Sequence, residues 1–521
     1  MILKRILACL VCFSVLITCF AGCDMTGKVK DTINEIQNPE PDPGIDEIGY
    51  TLPYLRTDSL NPYKCETETN RSLMTLIYDS LFSVNNDFKV ETVIASSYIL
   101  TESTLTVTIR NDISFSDGSK LSAADVVYSF ILAKGNSYYS TYLKNISDAQ
   151  VSGVGSVVFT LREANPYEAA NLIFPIIKSD SDKDTDSSDN YSAALPAGSG
   201  RYFISENNSG KTLQVNKARL GGYHPKYNII GLKDITEVSS IPNLFSLNEI
   251  DFYTESFSDG VYKRFAGESG TYETTNLTYL GINADTRVLQ DSKVRRAISL
   301  LINRNDLASV SFAGFGVATS TPFNPSFYAL DGCTLPPMKF DKNAAVGLLE
   351  EAGFDIVSEI GIRYSSSNKG KLELRLLVNK DNSFKLAMAR NIQQALANAD
   401  IRVVLKELSY SRYVSAVESG AYDLYIGEAK LSNSFDLSVF FAEGGSLGYG
   451  ISSSCASAIK YGSFEKSDIT MQEFLDTFAD DLPFIPLAYR KGLTVRNEKL
   501  KTKTATIISD YFFNINEWTV E

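Results

Sequence analysis

The chain has 521 residues, of which 44% are apolar and 11% aromatic, and a formal net charge of −13. This composition excludes a disordered chain and supplies material for several large cores, roughly three domain-sized units by length. The acidic balance argues against nucleic acid or an anionic membrane surface as partner.

Histidine narrows the chemistry further. His224, in the loop-like GGYHP, is the only one. Histidine-rich metal sites are therefore excluded, and a Ser-His-Asp or Cys-His arrangement would have to be built on that residue with no nucleophile elbow beside it. Carboxylate-pair chemistry stays open, although no spacing promotes it.

Residues 1–5 carry two cations, residues 6–20 form an uncharged apolar run, and Ala21 and Gly22 lead into Cys23. The run is too short for a comfortable membrane span and reads as a secretory signal peptide over residues 1–22. CFAGC resembles the lipobox of bacterial lipoproteins, with Phe20 where Leu is usual. The resemblance implies cleavage before Cys23 and lipidation of its sulfur, an anchor that needs no helix in the bilayer. Residues 23–49, with NPEPDPG and no apolar period, read as a flexible tether. Cys9, Cys12 and Cys19 fall in the signal, which leaves Cys65, Cys333 and Cys455. These allow at most one bridge, hold no C-x-x-C pair, and are expected as free buried thiols.

SLNPY at 59–63 is a turn, since Pro62 pushes its predecessor out of the helical region. Leu73, Leu76, Ile77 and Leu81 give residues 70–82 helical spacing. STLTVTIR at 103–110 alternates as a half-buried strand. Asp117-Gly118 then makes a turn, and Ser122 with Asp125 fits a capping box at a helix start. SVVFTLR at 156–162 is another strand, so residues 83–178 read as a small α+β unit. The run SDSDKDTDSSDNYS at 179–192 spaces Asp180, Asp182, Asp184 and Asp186 like calcium ligands. However, Thr185 and Tyr191 stand where such a loop needs Gly and Glu, and a solvated insertion is the simpler reading.

NLTYLGIN at 276–283 reads as a strand and is followed by a helix capped by Asp291, with Val294, Ala297, Ile298 and Leu301 inward and Lys293, Arg295 and Arg296 on a solvated face. Residues 341–353 form a helix ended by Gly353. LELRLLV, a helix through Phe384, Met388, Ile392 and Leu396, IRVVLKEL, a short helix through Tyr413 and Val417, and YDLYI complete a β-α-β-α-β series. The fold class is thus α/β, with a parallel or mixed sheet covered by helices and ligands expected beyond the carboxyl ends of strands. YDLYIGEAKLSNSFD at 422–436 sits at such an end. Its strand is expected to break at Gly427, which leaves Glu428, Lys430 and Asn433 in the loop beyond.

SLNPY, LIYDSLF, IRNDISFSDGSKLSAADVVYSF, NLIFPII, GSGRYFI, LGIN with DSKVRRAISLLINR, LLEEAGF and YDLYIG, in this order over about residues 50–520, resemble family 5 extracellular solute-binding proteins. These are the oligopeptide, dipeptide and nickel receptors of ABC importers. The resemblance implies a two-lobe periplasmic binding protein fold, type II and cluster C, with an extra α+β domain in the first lobe. Residues 50–79, 192–275 and 481–521 would form lobe I, 80–191 its extra domain and 276–480 lobe II, closing about a hinge near Asn276 and Asp480. It further implies a monomeric, non-enzymatic receptor without a cofactor or a bound metal. Such a receptor delivers a peptide or peptide-like small solute to a permease and ATPase complex, anchored by lipid at the extracellular or periplasmic side of the cell membrane.

In peptide-binding members the strand matching YDLYIG is followed by a Trp and, three residues later, by an Asp that pairs with the peptide's amino group. Here those positions hold Glu428 and Leu431. Two readings stay open: Glu428, Lys430 and Asn433 face the cleft and select another ligand, such as one offering a carboxylate to Lys430, or they are solvated loop residues. Glu68, Thr69, Asn70 and Tyr489 correspond to regions that line the family's cleft. Alternative functions are a sensor passing its closed form to a signalling partner and an anchored hydrolase using carboxylates.

Overall fold

The computed structural model describes residues 44–181, 195–208, 210–219, 224–257, 260–261, 263–366, 370–502 and 506–521. The signal peptide, Cys23, most of the tether and most of the acidic 179–192 run lie outside the described residues.

Among those residues three sheets have four strands or more. In the first, Ile45–Leu55 is an edge strand parallel to Tyr227–Ile235, which is followed by Gly210–Val215 and Tyr202–Asn207. Residues 45–49, expected in the tether, thus belong to a strand. Their side chains are mostly exposed, so backbone pairing places them and no apolar period announces them. From Tyr50 onward the strand turns inward and packs with Leu73, Leu76, Tyr202, Ile230 and Trp518.

Glu68–Ile77 is a helix capped by Thr67, shorter than the expected 70–82. Its end is set from outside, because the Gly200 N–H takes the Ile77 carbonyl at 2.9 Å. Leu81 and Phe82 belong instead to the core of the second sheet, ordered Ala95–Leu100, Thr104–Ile109, Ser156–Leu161 and Ile146–Ser152. Helix Ala123–Gly135 buries Val126 and Phe130 in that core and starts at the capping box of Ser122 and Asp125.

The third sheet has seven strands. Glu268–Ile282 and Phe484–Arg496 run through it side by side, with Phe252–Glu255 beyond the second of them and the short Gly316–Ala318 paired to that same strand. On the other side come Leu424–Lys430, Glu373–Asn379 and Arg402–Leu408, the last three mutually parallel and joined to the long pair antiparallel. Leu280, Ile426 and Ile485 face one core, and Tyr279, Tyr425 and Phe484 face another. Covering both faces is what makes these segments near-continuous apolar runs.

Three features bear on the site. Pairing between the two long strands is interrupted between Tyr272 and Asn276. Leu424–Lys430 continues through Gly427 rather than breaking there. The glycine is needed in mid-strand because the Tyr279 ring of the neighbouring strand lies over it: a Cβ would fall 2.3 Å from Tyr279 Cζ. Finally, Arg295, expected on a solvated face, is buried and donates to the carbonyls of Leu289, Gln290 and Asp481. Cys65, Cys333 and Cys455 are free.

Candidate functional site

The interruption of the long strands opens a cavity of about 310 Å³. Tyr272, Thr274, Thr275 and Asn276 line it at the break, with Arg490 from the partner strand. Every other wall comes from a different part of the chain. Helix Glu68–Ile77 supplies Glu68 and Arg71, the turn after helix Ala123–Gly135 supplies Tyr138 and Tyr142, strand Leu424–Lys430 ends on Lys430, and the C-terminal segment adds Ile508 and Tyr511. A second cavity of about 270 Å³ adjoins it and shares Arg71, Tyr138, Ile508 and Tyr511.

Of the seven residues singled out from sequence, two line the cavity: Glu68 and Lys430. The Glu68 carboxylate accepts the Ser256 hydroxyl at 2.5 Å. Burial raises its pKa above the usual range, the Ser256 hydrogen bond works against that rise, and Lys430 and Arg71 oppose it less strongly. Lys430 is open to the cavity, with its Nζ 4.2 Å from the Tyr138 ring centroid and 5.5 Å from that of Tyr142. Arg71 lies over the same Tyr138 ring at 4.0 Å. Burial opposes ionisation of the Tyr138 phenol, but Lys430 and then Arg71 outweigh it and hold the group below its ordinary 10.0.

The other five residues stand elsewhere. Glu428 points at Arg490 and Lys385, not into a loop: Arg490 donates through Nε and Nη2 at 3.1 and 2.8 Å, and Lys385 Nζ lies 3.0 Å away. Burial alone would raise its pKa, yet Arg490 and then Lys385 bring it down to about 2. Glu428 therefore acts from behind the cavity wall by fixing Arg490, whose Nη1 stays buried without a hydrogen-bond partner among the described residues. Asn70 is fully buried and ties down the chain before it, with its amide bonded to the N–H and carbonyl of Leu55 and to the carbonyls of Asp58 and Ser59. Thr69 is buried beside it. The Tyr489 hydroxyl donates to the Pro322 carbonyl at 2.6 Å inside the core.

Asn433 is buried, and its amide donates to the Ala170 carbonyl at 3.2 Å. Its neighbour Ser434 accepts from Asn165 and Asn171 at 3.1 and 3.0 Å. The segment after Lys430 is thus a docking contact against residues 165–171. Leu431, at the position where the resemblance implied an Asp in peptide-binding members, is buried in the aromatic core, and its backbone is tied to Thr275.

Sequence reading missed Arg71, Tyr138, Tyr142, Tyr272, Arg490 and Tyr511. Tyr138 and Tyr142 fall in the SYYSTY stretch, whose tyrosine density at a helix end was a usable signal; the others carry none beyond their type.

The family model for bacterial extracellular solute-binding proteins, family 5 Middle, matches residues 89–444. The chain belongs to this family. Among relatives of this family 5 protein, the glutathione-binding protein GsiB of Salmonella typhi is 23% identical over 476 residues, covering 85% of this chain and 89% of GsiB. GsiB of Escherichia coli (strain K12) is 25% identical over 312 residues, covering 57% and 59%. Two solved structures share the fold. The periplasmic murein tripeptide binding protein MppA, in an unliganded open form, gives a TM-score of 0.71 at 15% identity, covering 92% of this chain and 99% of its own. NikA from Brucella suis, in complex with Fe(III)-EDTA, gives 0.68 at 18% identity, covering 90% and 100%. They have the two-lobe architecture of family 5 binding proteins, and so does this chain. No helix among the described residues is long and apolar enough to cross a membrane.

Proposed function

We propose that this family 5 protein is the lipid-anchored receptor of an ABC importer, and that it captures a peptide or peptide-like small solute in the cavity between Glu68 and Lys430. The observation that carries this reading is the placement of the cavity at the interruption of the two long strands. Residues 272–276, opposite 490–492, are where a few backbone dihedrals can change while the paired stretches on either side stay intact. Residues on helix Glu68–Ile77 and on strand Leu424–Lys430 would then approach each other as the walls close. In this reading residues 50–79, 192–275 and 481–521 form one lobe, 80–191 its extra domain and 276–480 the other lobe, with Cys23 carrying the lipid. Relatives named for glutathione and for a murein tripeptide support a peptide-like solute.

The test is a thermal-shift screen of the full chain against di- to pentapeptides, amino-blocked peptides, nickel chelates and small anions. A receptor is stabilised by RT ln(1 + [L]/Kd), about 2.7 kcal/mol at a hundredfold excess over Kd. The solute is then recovered and weighed by mass spectrometry. Intact solute supports a receptor; cleaved solute would replace this reading with a hydrolase. A chain that no member of the screen stabilises would refute it.

A further inference from the structure

Two cations meet at one ring in the cavity. Lys430 comes from the end of strand Leu424–Lys430 and Arg71 from helix Glu68–Ile77, and both lie within 4.2 Å of the Tyr138 centroid. Neither makes an ion pair within 4.0 Å with a carboxylate among the described residues. Behind them Glu428 is shared by Arg490 and Lys385, so one anion serves two cations and Arg490 Nη1 is left over. The opposing acids are weak counterparts. Glu68 is committed to Ser256, and Glu66 stands at the exposed rim, where its carbonyl accepts Arg71 Nη2. Both cations therefore face the cavity against tyrosine rings, and positive charge in a partly dry site is stabilised by an anion.

We propose that Lys430 and Arg71 receive a carboxylate of the solute beside Tyr138, so that the cleft selects peptide-like solutes by that carboxylate and accepts the amino end free or blocked. The inference rests on the cavity being the ligand site. Tyr138 and Tyr142 offer ring faces to the remainder of the solute, and Glu68 accepts a donor from it.

The test is titration calorimetry of the full chain with one tripeptide of neutral side chains in four forms: free, N-acetylated, C-amidated and blocked at both ends. Succinate, inorganic phosphate and 1,4-diaminobutane are run alongside. The two acids are expected to bind alike and amidation to weaken binding about tenfold or more, the scale of a charge-assisted contact. Lys430→Met is expected to reduce the acids to the level of the amides. Amides binding as tightly as acids, or acetylation costing more than amidation, would overturn the proposal without touching the receptor reading. Succinate binding with no tripeptide form bound would uphold the carboxylate site and defeat the peptide-like solute. Binding of phosphate or diaminobutane alone, or of nothing, would defeat both.

Discussion

Arg490 grips a single oxygen of Glu428 with two N–H groups, at 3.1 and 2.8 Å, across the intervening strand Glu268–Ile282, and the two side chains are only 7% and 18% exposed. Removing one partner of such a pair leaves an uncompensated buried charge. Glu428→Gln is expected to cost about 3 kcal/mol in urea unfolding. Lys430→Ala, two residues along and facing open space, is expected to cost well under half of that. Equal midpoints for Glu428→Gln and the parent would show that the ion group carries no stability.

Gly427 and Gly281 each lie under a cross-strand tyrosine, Tyr279 and Tyr425. A Cβ at Gly281 would fall 2.1 Å from Tyr425 Cε1. Gly427→Ala and Gly281→Ala are each expected to destabilise by about 1–3 kcal/mol, the range for overpacking a tight core. The measurement is the thermal unfolding midpoint, and an unshifted midpoint would mean that the rings move aside freely.

Ser434 serves two buried amides at once, those of Asn165 and Asn171. Ser434→Ala strands both donors and is expected to cost about 1–3 kcal/mol in urea unfolding. A variant with Asn165→Ala and Asn171→Ala added should recover part of that loss. Additive losses would contradict the contact.

Below this dock sits a group of acids. Burial raises the Glu168 pKa to about 7, although Asn145 and Asn171 donate to it and Asp436 adds to the rise. Burial raises Glu465 to about 8, followed by Asp436, with a Tyr461 hydrogen bond opposing and Glu163 and Glu168 adding to the rise. Both groups are protonated more readily in the folded chain than in the unfolded one, where a glutamate titrates near 4.5. The folded state therefore binds more protons between pH 4.5 and 7–8, and stability falls as pH rises through that window. The melting temperature is expected to drop between about pH 5.5 and pH 8.5, and Glu168→Gln is expected to flatten the drop. A profile that rises over the same range would refute the assignment.

How much of this was legible in the sequence depends on how local its cause is. The capping box at Ser122 and the Asp291 cap are read within one turn of chain, and both form. The α/β series from LELRLLV to YDLYI is announced by its apolar periods. Gly427 misleads because its partner, Tyr279, is 148 residues away, and a glycine under a remote ring looks like one at a strand end. The site fares worst for the same reason. Glu428, Lys430 and Asn433 occupy one short stretch, yet one is neutralised behind the wall, one faces the cavity and one docks on residues 165–171. Lys430 and Arg71 line one cavity only because the fold brings both against Tyr138, from a third element.

The central claim is that solute enters the cavity between Glu68 and Lys430, and the most direct measurement blocks that space. Asn276, half-buried at the strand interruption and in register with Lys430, is replaced by Trp, and the thermal shift produced by a di- to pentapeptide mixture is compared with that of the unsubstituted chain. The account predicts a raised melting temperature for the parent and none for Asn276→Trp, with the two proteins melting within a few degrees of each other when no peptide is present. An equal rise in both would place the solute elsewhere and contradict it.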